Sequence, residues 1–323
     1  MPSSRSIYSF HGSVINAGDF LIQDSARTIL NKLFPTSNIF ESSRHKRLLH
    51  HEDALGVYFG GPFISRDLFP SVIPSQAILA LPVGVGIFNE TSVFTTETRE
   101  YFHKISNFYP TGRDLRATQF LVELGCSNAE LGGCPAFIAG LFKKRHEIKD
   151  VARIVVSDPS WGVNYSYAYK LVRILRRLFK SAEITFCFHR TIFNMQYKSF
   201  KASTAALALV SLFHAIGVKV CDISGSSDGF SIYNGALHVG FRVHAHVYAR
   251  SIGGSSVLLT EDLRSLGMND LFGEQIIEPR AIESDLIKLA IAHELNRKDK
   301  FFSLQQELFE VTQSALIRNH ELT

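Results

Sequence analysis

Short β-rich runs recur along the chain, and amphipathic helical patterns lie between many of them. The runs are "ALGVYFGG" (54–61), "QAILALPVGVG" (76–86), "ARIVVSD" (152–158), "EITFCFH" (183–189), "VKVCDIS" (218–224) and "SVLLTED" (256–262). The helical patterns include "GDFLIQDSARTILNKLF" (18–34), which puts Leu21, Ile22, Ala26, Ile29, Leu30 and Leu33 on one face. Two more are "DLRATQFLVELG" (114–125), stopped by Gly125, and "KLVRILRRLFK" (170–180). Strands that alternate with one-faced helices bury both by crossing over to parallel neighbours, so the pattern predicts an α/β chain with largely parallel sheets.

At 323 residues the chain is long for a single small core. The charged stretch "LFKKRHEIKDV" (141–151) precedes a new strand and marks the expected boundary. One Rossmann-like domain is expected over 1–145. A second is expected over 150–323, ending in helices with apolar clusters at Leu286, Leu289 and Ile291 and at Leu304, Leu308 and Leu316. Hydrophobic residues at 46% and charged residues at 20% exclude a disordered chain. A net charge of +4 is too small to argue for nucleic acid, though it suits an anionic substrate or membrane surface.

Cys126, Cys134, Cys187 and Cys221 show no metal-ligand spacing and read as reduced core thiols. "MPSSRSIYSFHG" lacks the apolar run of a signal peptide, so a cytoplasmic protein is expected. The apolar tract from Thr204, "TAALALVSLFHAIGVKV", is too short for a bilayer and reads as a buried helix running into a strand.

Ligands of open parallel sheets bind at the carboxyl ends of the strands, and two such domains are expected to face a cleft there. In the second half these ends are polar: Asp158 and Trp161, His189 and Arg190, Asp222 and Ser224, then Glu261, Asp262 and Arg264. "GFRVHAHVYARS" adds Arg242 and His244. On a strand His244 and His246 would face one side as zinc ligands, but Val243, Val247 and the closing glycines suggest a helix. There the two rings diverge by about 200°, and no third ligand is evident. A histidine satisfied within the core is the plainer alternative.

In the first half, "INAGDFLIQD" places Gly18 as a tight turn and Asp19 at a helix start, either as a cap or as a functional carboxylate. "YFGGPFISRD" lets backbone approach a ligand, although a Gly-Gly-Pro turn alone is common. Arg113 stands at the entrance of the 114–125 helix, where its planar fork could hold phosphate or carboxylate, or simply form a surface ion pair. Lys170, Arg173, Arg176, Arg177 and Lys180 form the basic face of the 170–180 helix. That face is either solvated or set on an anionic membrane. Trp161, with the tyrosines of "DPSWGVNYSYAY", could stack on a sugar or merely pack.

Taken in order, "NAGDFLI", "YFGGPFI", "LPVGVG", "GRDLRATQFLVELG", "LGGCPAF" and "GFRVHAHVYARSIGGSSVLLTEDLR" resemble the motifs of the polysaccharide pyruvyl transferase family. The likeness spans most of the chain and is weak over 141–235. The glycine turn here is Gly60-Gly61-Pro62, where many members continue with glycine. The resemblance implies a GT-B-like pair of domains, phosphoenolpyruvate as donor with no cofactor or metal, and a sugar diol or lipid-linked oligosaccharide as acceptor. It implies catalytic roles for His244 and Asp19 and donor-binding roles for Arg113 and Arg242. Trp161, His189 and Arg190 are the candidate acceptor contacts. Two alternatives stay open: a GT-B glycosyltransferase using a nucleotide sugar, and a carbohydrate- or lipid-binding module that has lost the chemistry. Peripheral contact with the inner face of the membrane is left open as well.

Overall fold

The computed structural model describes residues 6–12, 15–43, 54–64, 79–87, 96–148, 150–193, 200–297 and 300–323. They form two compact units. The first comprises Met1–Ser13, Asp19–Leu141 and Ser303–Thr323, and the second Val14–Gly18 and Phe142–Phe302. Every strand pairing among the described residues is parallel. The α/β, parallel-sheet expectation therefore holds in both units. Against the expected domains 1–145 and 150–323, two segments change sides: Val14–Gly18 group with the second unit and Ser303–Thr323 with the first.

The first unit contains β1 (Ser6–His11), β2 (Ile39–Ser43), β3 (Ala54–Phe59), β4 (Pro62–Ile64), β5 (Ala80–Val83), β6 (Gly86–Ile87), β7 (Thr111–Gly112) and β8 (Glu130–Leu131). Its main sheet has the order β2-β1-β3-β5, with β4-β6 and β7-β8 as small two-stranded additions. The expected strand over 76–86 is broken. β5 ends at Val83, Gly84 turns with φ 62°, and β6 begins at Gly86; residues 76–78 lie outside the described residues. Pro82 is tolerated because β5 is the sheet edge, where a missing N–H breaks no ladder.

The helices of this unit are α1 (Ala17–Leu33), α2 (Thr96–Lys104), α3 (Leu115–Glu123) and α4 (Pro135–Ile138). On α1, Leu21, Ile22, Ala26, Ile29 and Leu30 are buried, as their spacing predicts. Asp114 caps α3 by accepting from the Ala117 N–H at 2.9 Å.

The second unit has one five-stranded sheet, β11-β10-β9-β12-β13. Its strands are β9 (Arg153–Ser157), β10 (Glu183–Phe188), β11 (Lys219–Asp222), β12 (Leu237–Gly240) and β13 (Ser256–Leu258). Central β9 is buried from Ile154 to Ser157, as expected for a parallel strand covered on both faces. Its helices are α5 (Tyr165–Leu178), α6 (Phe200–Ala215), α7 (Val243–Ser251), α8 (Leu263–Phe272) and α9 (Ser284–Asn296); α10 (Lys300–Leu322) runs on into the first unit. Helix α5 buries Leu171, Val172, Ile174 and Leu175 and exposes Lys170, Arg173, Arg176 and Arg177.

Three details depart from expectation. Helix α6 is only half-buried, with Leu207 and Leu212 exposed. Leu289 is 64% exposed; the buried face of α9 is Ile287, Ala290 and Ile291, so of the expected cluster Ile291 is in the core and Leu289 is not. Glu261, Asp262 and Arg264 lie past β13, and Asp262 caps α8 through the Arg264 and Ser265 N–H groups. Among the described residues, no helix is long and apolar enough to cross a membrane.

Candidate functional site

In the second unit, β9 and β12 end side by side, and α7 starts directly after β12. Arg242 is the N-cap residue of α7, with φ −84° and ψ 116°. Ser157, the last residue of β9, accepts from the Phe241 and Arg242 backbone N–H groups, each at 3.0 Å. Gly240 lets the two chains come this close: a Cβ there would lie 2.4 Å from Ser157 Oγ.

Asp158 then takes the Arg242 side chain. Nε donates to Oδ1 at 2.7 Å and Nη2 to Oδ2 at 2.5 Å. Both groups are buried, at 7% and 0% exposed. Burial alone would lower the Arg242 pKa, but Asp158 and then Glu261 more than offset it and keep the guanidinium charged. The planar fork expected to grip a donor is thus engaged by Asp158. Among the described residues Nη1 makes only a 3.5 Å contact, to Ser160 Oγ.

Glu261 lines the same corner, accepting from the Ser160 N–H at 2.8 Å and from Asn164 Nδ2 at 2.6 Å. Its carboxyl pKa is pushed up by burial, against the lowering effect of these donors and of Arg242. Asp158 and Glu261 stand at strand ends in the sequence, but nothing local marks either as the partner of Arg242.

His244 lies in the first turn of α7 and is 9% exposed. Its ring rests on Gly18, where a Cβ would fall 2.1 Å from Nδ1. Gly18 sits in the first turn of α1, not in a left-handed turn, so glycine is required there by the imidazole. This corrects the tight-turn reading. Asn16 stands just before α1 and its Oδ1 accepts from the Gly18 N–H at 3.2 Å; the Ala17 N–H donates to the His189 carbonyl at 3.0 Å. The motif "NAGD" therefore supplies a cap, a helix start and a seat for His244.

His246, on the same helix, is fully buried against Ser256 rather than directed to a common ligand with His244. Among the described residues no group of three or more His, Cys, Asp or Glu could hold a metal ion.

The three candidate acceptor residues separate. Trp161 is 47% exposed and precedes the short 3-10 turn Gly162–Asn164. Arg190 is half-buried. His189 is 1% exposed and points inward, with Nε2 2.7 Å from the Tyr233 hydroxyl and its ring edge-on to Phe230. Burial, then Arg242, pushes its pKa well below the ordinary histidine value. His189 is thus buried between Tyr233 and Phe230 rather than exposed at the strand end.

In the first unit, Arg113 stands at the entrance of α3 as predicted and is 1% exposed. It is no surface ion pair. Its only ion-pair partner among the described residues is Asp114, at 3.4 Å from Nε. The guanidinium lies over Gly86, where a Cβ would come within 2.5 Å of Nη2. Long contacts to one carboxylate leave this buried cation with donors to spare for an anion.

Asp19 is 9% exposed, in the first turn of α1. Asn16 holds a capping contact, its Oδ1 accepting from the Gly18 N–H. The Asp19 carboxylate lies against the end of β1, where a Cβ on Gly12 would fall 3.0 Å from Cγ. Of the glycine-rich turn, Gly60 and Gly61 have φ 57° and 70°, while Ser65, Arg66 and Asp67 lie outside the described residues.

A family model described as polysaccharide pyruvyl transferase matches residues 16–261. Among solved structures, the UDP-GlcNAc 2-epimerase of Methanocaldococcus jannaschii is similar at TM-score 0.59 and 10% identity, over 97% of this chain and 99% of that one. The UDP-GlcNAc 2-epimerase of Neisseria meningitidis bound to UDP-GlcNAc matches at TM-score 0.56 and 9% identity, over 97% and 99%. MnaA of S. aureus with UDP matches at 0.52 and 10%, over 96% and 91%. At such identities these likenesses establish the fold, which is α/β and GT-B-like. No curated protein matches the chain.

Proposed function

The chain belongs to the polysaccharide pyruvyl transferase family, and from that premise we propose that it transfers a pyruvyl group from phosphoenolpyruvate to a sugar diol as a cyclic ketal. The observation that carries this reading is the seating of the His244 ring on Gly18 beside the Arg242–Asp158 pair. The first and last of the matching motifs supply one corner of one unit, with a titratable ring and a charged guanidinium two residues apart in sequence.

The donor carries a carboxylate and a phosphate. Arg113, buried and under-engaged, and Arg242, through Nη1, supply fixed positive charge for them. In our reading His244 delivers a proton to the methylene carbon of the donor, leaving positive charge at C2. A sugar hydroxyl adds to C2 and loses its proton, which Asp19 takes or orients. The C2–O bond to phosphate then breaks, and phosphate leaves with the electron pair. A second hydroxyl adds to C2, loses its proton and closes the ring. Trp161, 47% exposed, is assigned to the acceptor. The donor is itself a substrate, so the sequence needs no further cofactor.

Solvent isotope tests this order of steps. In heavy water with phosphoenolpyruvate and a panel of sugar diols, mass spectrometry should find one deuterium in the ketal methyl group. A ketal with an unlabelled methyl removes solvent-coupled protonation and His244 with it. A protein that uses a nucleotide sugar instead changes bonding at the anomeric carbon and places no deuterium in its product. A binding module releases no phosphate at all.

We also place the reaction at the cytoplasmic face of a membrane, with a lipid-linked acceptor. The support is the outer face of α5, where Lys170, Arg173, Arg176 and Arg177 are exposed and no acidic residue intervenes. Each such charge near an anionic surface is worth about 1 kcal/mol. Wild-type protein should sediment with phosphatidylserine vesicles, and a variant with Arg173, Arg176 and Arg177 changed to Glu should not. Equal partition of the two proteins would end this idea.

A further inference from the structure

The hydrogen bond between Ser157 and Arg242 is one end of a longer buried line. Ser157 Oγ lies 2.8 Å from His238 Nε2, and His238 Nδ1 lies 2.6 Å from Ser256 Oγ. Ser256 Oγ lies 2.7 Å from His246 Nδ1. His246 Nε2 then faces Glu274 Oε2 at 3.3 Å, an ion-pair distance without the alignment of a full hydrogen bond. Ser157, His238, Ser256 and His246 are each 0% exposed. The other Glu274 oxygen accepts from Arg250 Nε and Nη2, at 2.9 and 2.6 Å.

The direction of every bond follows from the donors at one end. Ser157 Oγ already accepts two backbone N–H groups, which fills both of its lone pairs. Its own proton must go to His238 Nε2, so that nitrogen is an acceptor. The His238 proton is therefore on Nδ1 and is donated to Ser256. The Ser256 proton goes to His246 Nδ1. This leaves the His246 proton on Nε2, aimed at the Glu274 carboxylate. A charged His238 would face Ser157 with a third donor and no lone pair to receive it. Burial, and then neighbouring positive groups including Arg250, likewise keep both rings neutral at physiological pH.

We propose that Ser157, His238, Ser256, His246 and Glu274 form one directional chain that sets the position of the Arg242–His244 corner, and that they are positioning residues for the reaction. The functional half of this statement rests on the pyruvyl-transfer reading; the chain and its direction do not. Its near end is well placed for the task. Ser157 holds the Arg242 backbone while the next residue, Asp158, holds its side chain, so a shift in Ser157 moves both ends of that arginine together. Its far end is tied to α7 again, because Arg250 in the last turn of that helix grips Glu274.

The wild-type protein tests the direction. Long-range proton–nitrogen correlation spectra at neutral pH should show His238 protonated on Nδ1 and His246 on Nε2. The opposite tautomer at either ring, or a doubly protonated ring, overturns the proposal.

Ser256→Ala tests the consequence by removing the middle link. The Arg242 Nε–H and His244 ring signals should shift. Phosphate release from phosphoenolpyruvate should fall about ten-fold in kcat, the scale of one lost buried partner. Ser256→Thr, which keeps the hydroxyl, should restore both. A folded Ser256→Ala protein whose Arg242 and His244 signals match wild type sinks the positioning role, whatever its unfolding midpoint. Should that variant not fold, the wild-type tautomers still decide. If wild type releases no phosphate while the tautomers and shifts are as stated, the pyruvyl-transfer reading fails and the chain stands.

Discussion

His244→Ala should fold as wild type does and lose turnover by about a hundred- to ten-thousand-fold, the usual worth of a general acid or base. The side chain occupies the first turn of α7, where alanine is a favourable helix residue, and its ring rests on Gly18, which has no side chain to lose a partner. The carbon skeleton of the corner is held elsewhere, by Ser157 on the backbone and Asp158 on Arg242. Donor binding should therefore persist, since Arg113 and Arg242, which we propose meet its charge, are left in place. The measurements are kcat for phosphate release, the Michaelis constant for phosphoenolpyruvate and a circular dichroism melt. Wild-type kcat in a folded variant would remove His244 from the mechanism. A donor Michaelis constant that rises while kcat holds would make it a binding group instead.

Asp158→Ala should cost about 3–5 kcal/mol of stability, because it leaves the buried Arg242 guanidinium without its countercharge. Asp158 is 0% exposed, and its Oδ1 also accepts the His189 N–H at 3.1 Å, so the loss includes a backbone partner. Urea unfolding of the second unit should show a lower midpoint at an unchanged slope. Replacing both members, as Asp158→Leu with Arg242→Met, should recover most of that stability while leaving the protein inactive, since a well-packed apolar pair is often as stable as a buried ion pair. An Asp158→Ala protein as stable as wild type would mean that water reaches the arginine freely. A double variant that keeps activity would remove Arg242 from the donor site.

The sequence determined whatever depends on chain neighbours. The β-branched run Ile154-Val155-Val156 in "RIVVS" fits a parallel strand covered on both faces, and β9 is one. The spacing of Leu21, Ile22, Ala26, Ile29 and Leu30 repeats with the helical turn, and those residues are the buried face of α1. Helix was likewise legible for 243–251, and the ordered motifs were sufficient for the family. Tertiary structure decided the pairings. Asp158 is the partner of Arg242, Gly18 the seat of His244 and Ser157 the anchor of the α7 entrance, and none of these is local. His189 resembles an open strand-end residue until the fold brings Tyr233 and Phe230 around it. Leu289 fits an apolar stripe equally well as Ile287, and only the surface that α9 packs on distinguishes them. Periodicity is set by bond geometry within a few residues, and so it is written in the sequence. Which polar groups face one another across a sheet depends on how distant segments close on each other, and no short stretch of chain contains that information.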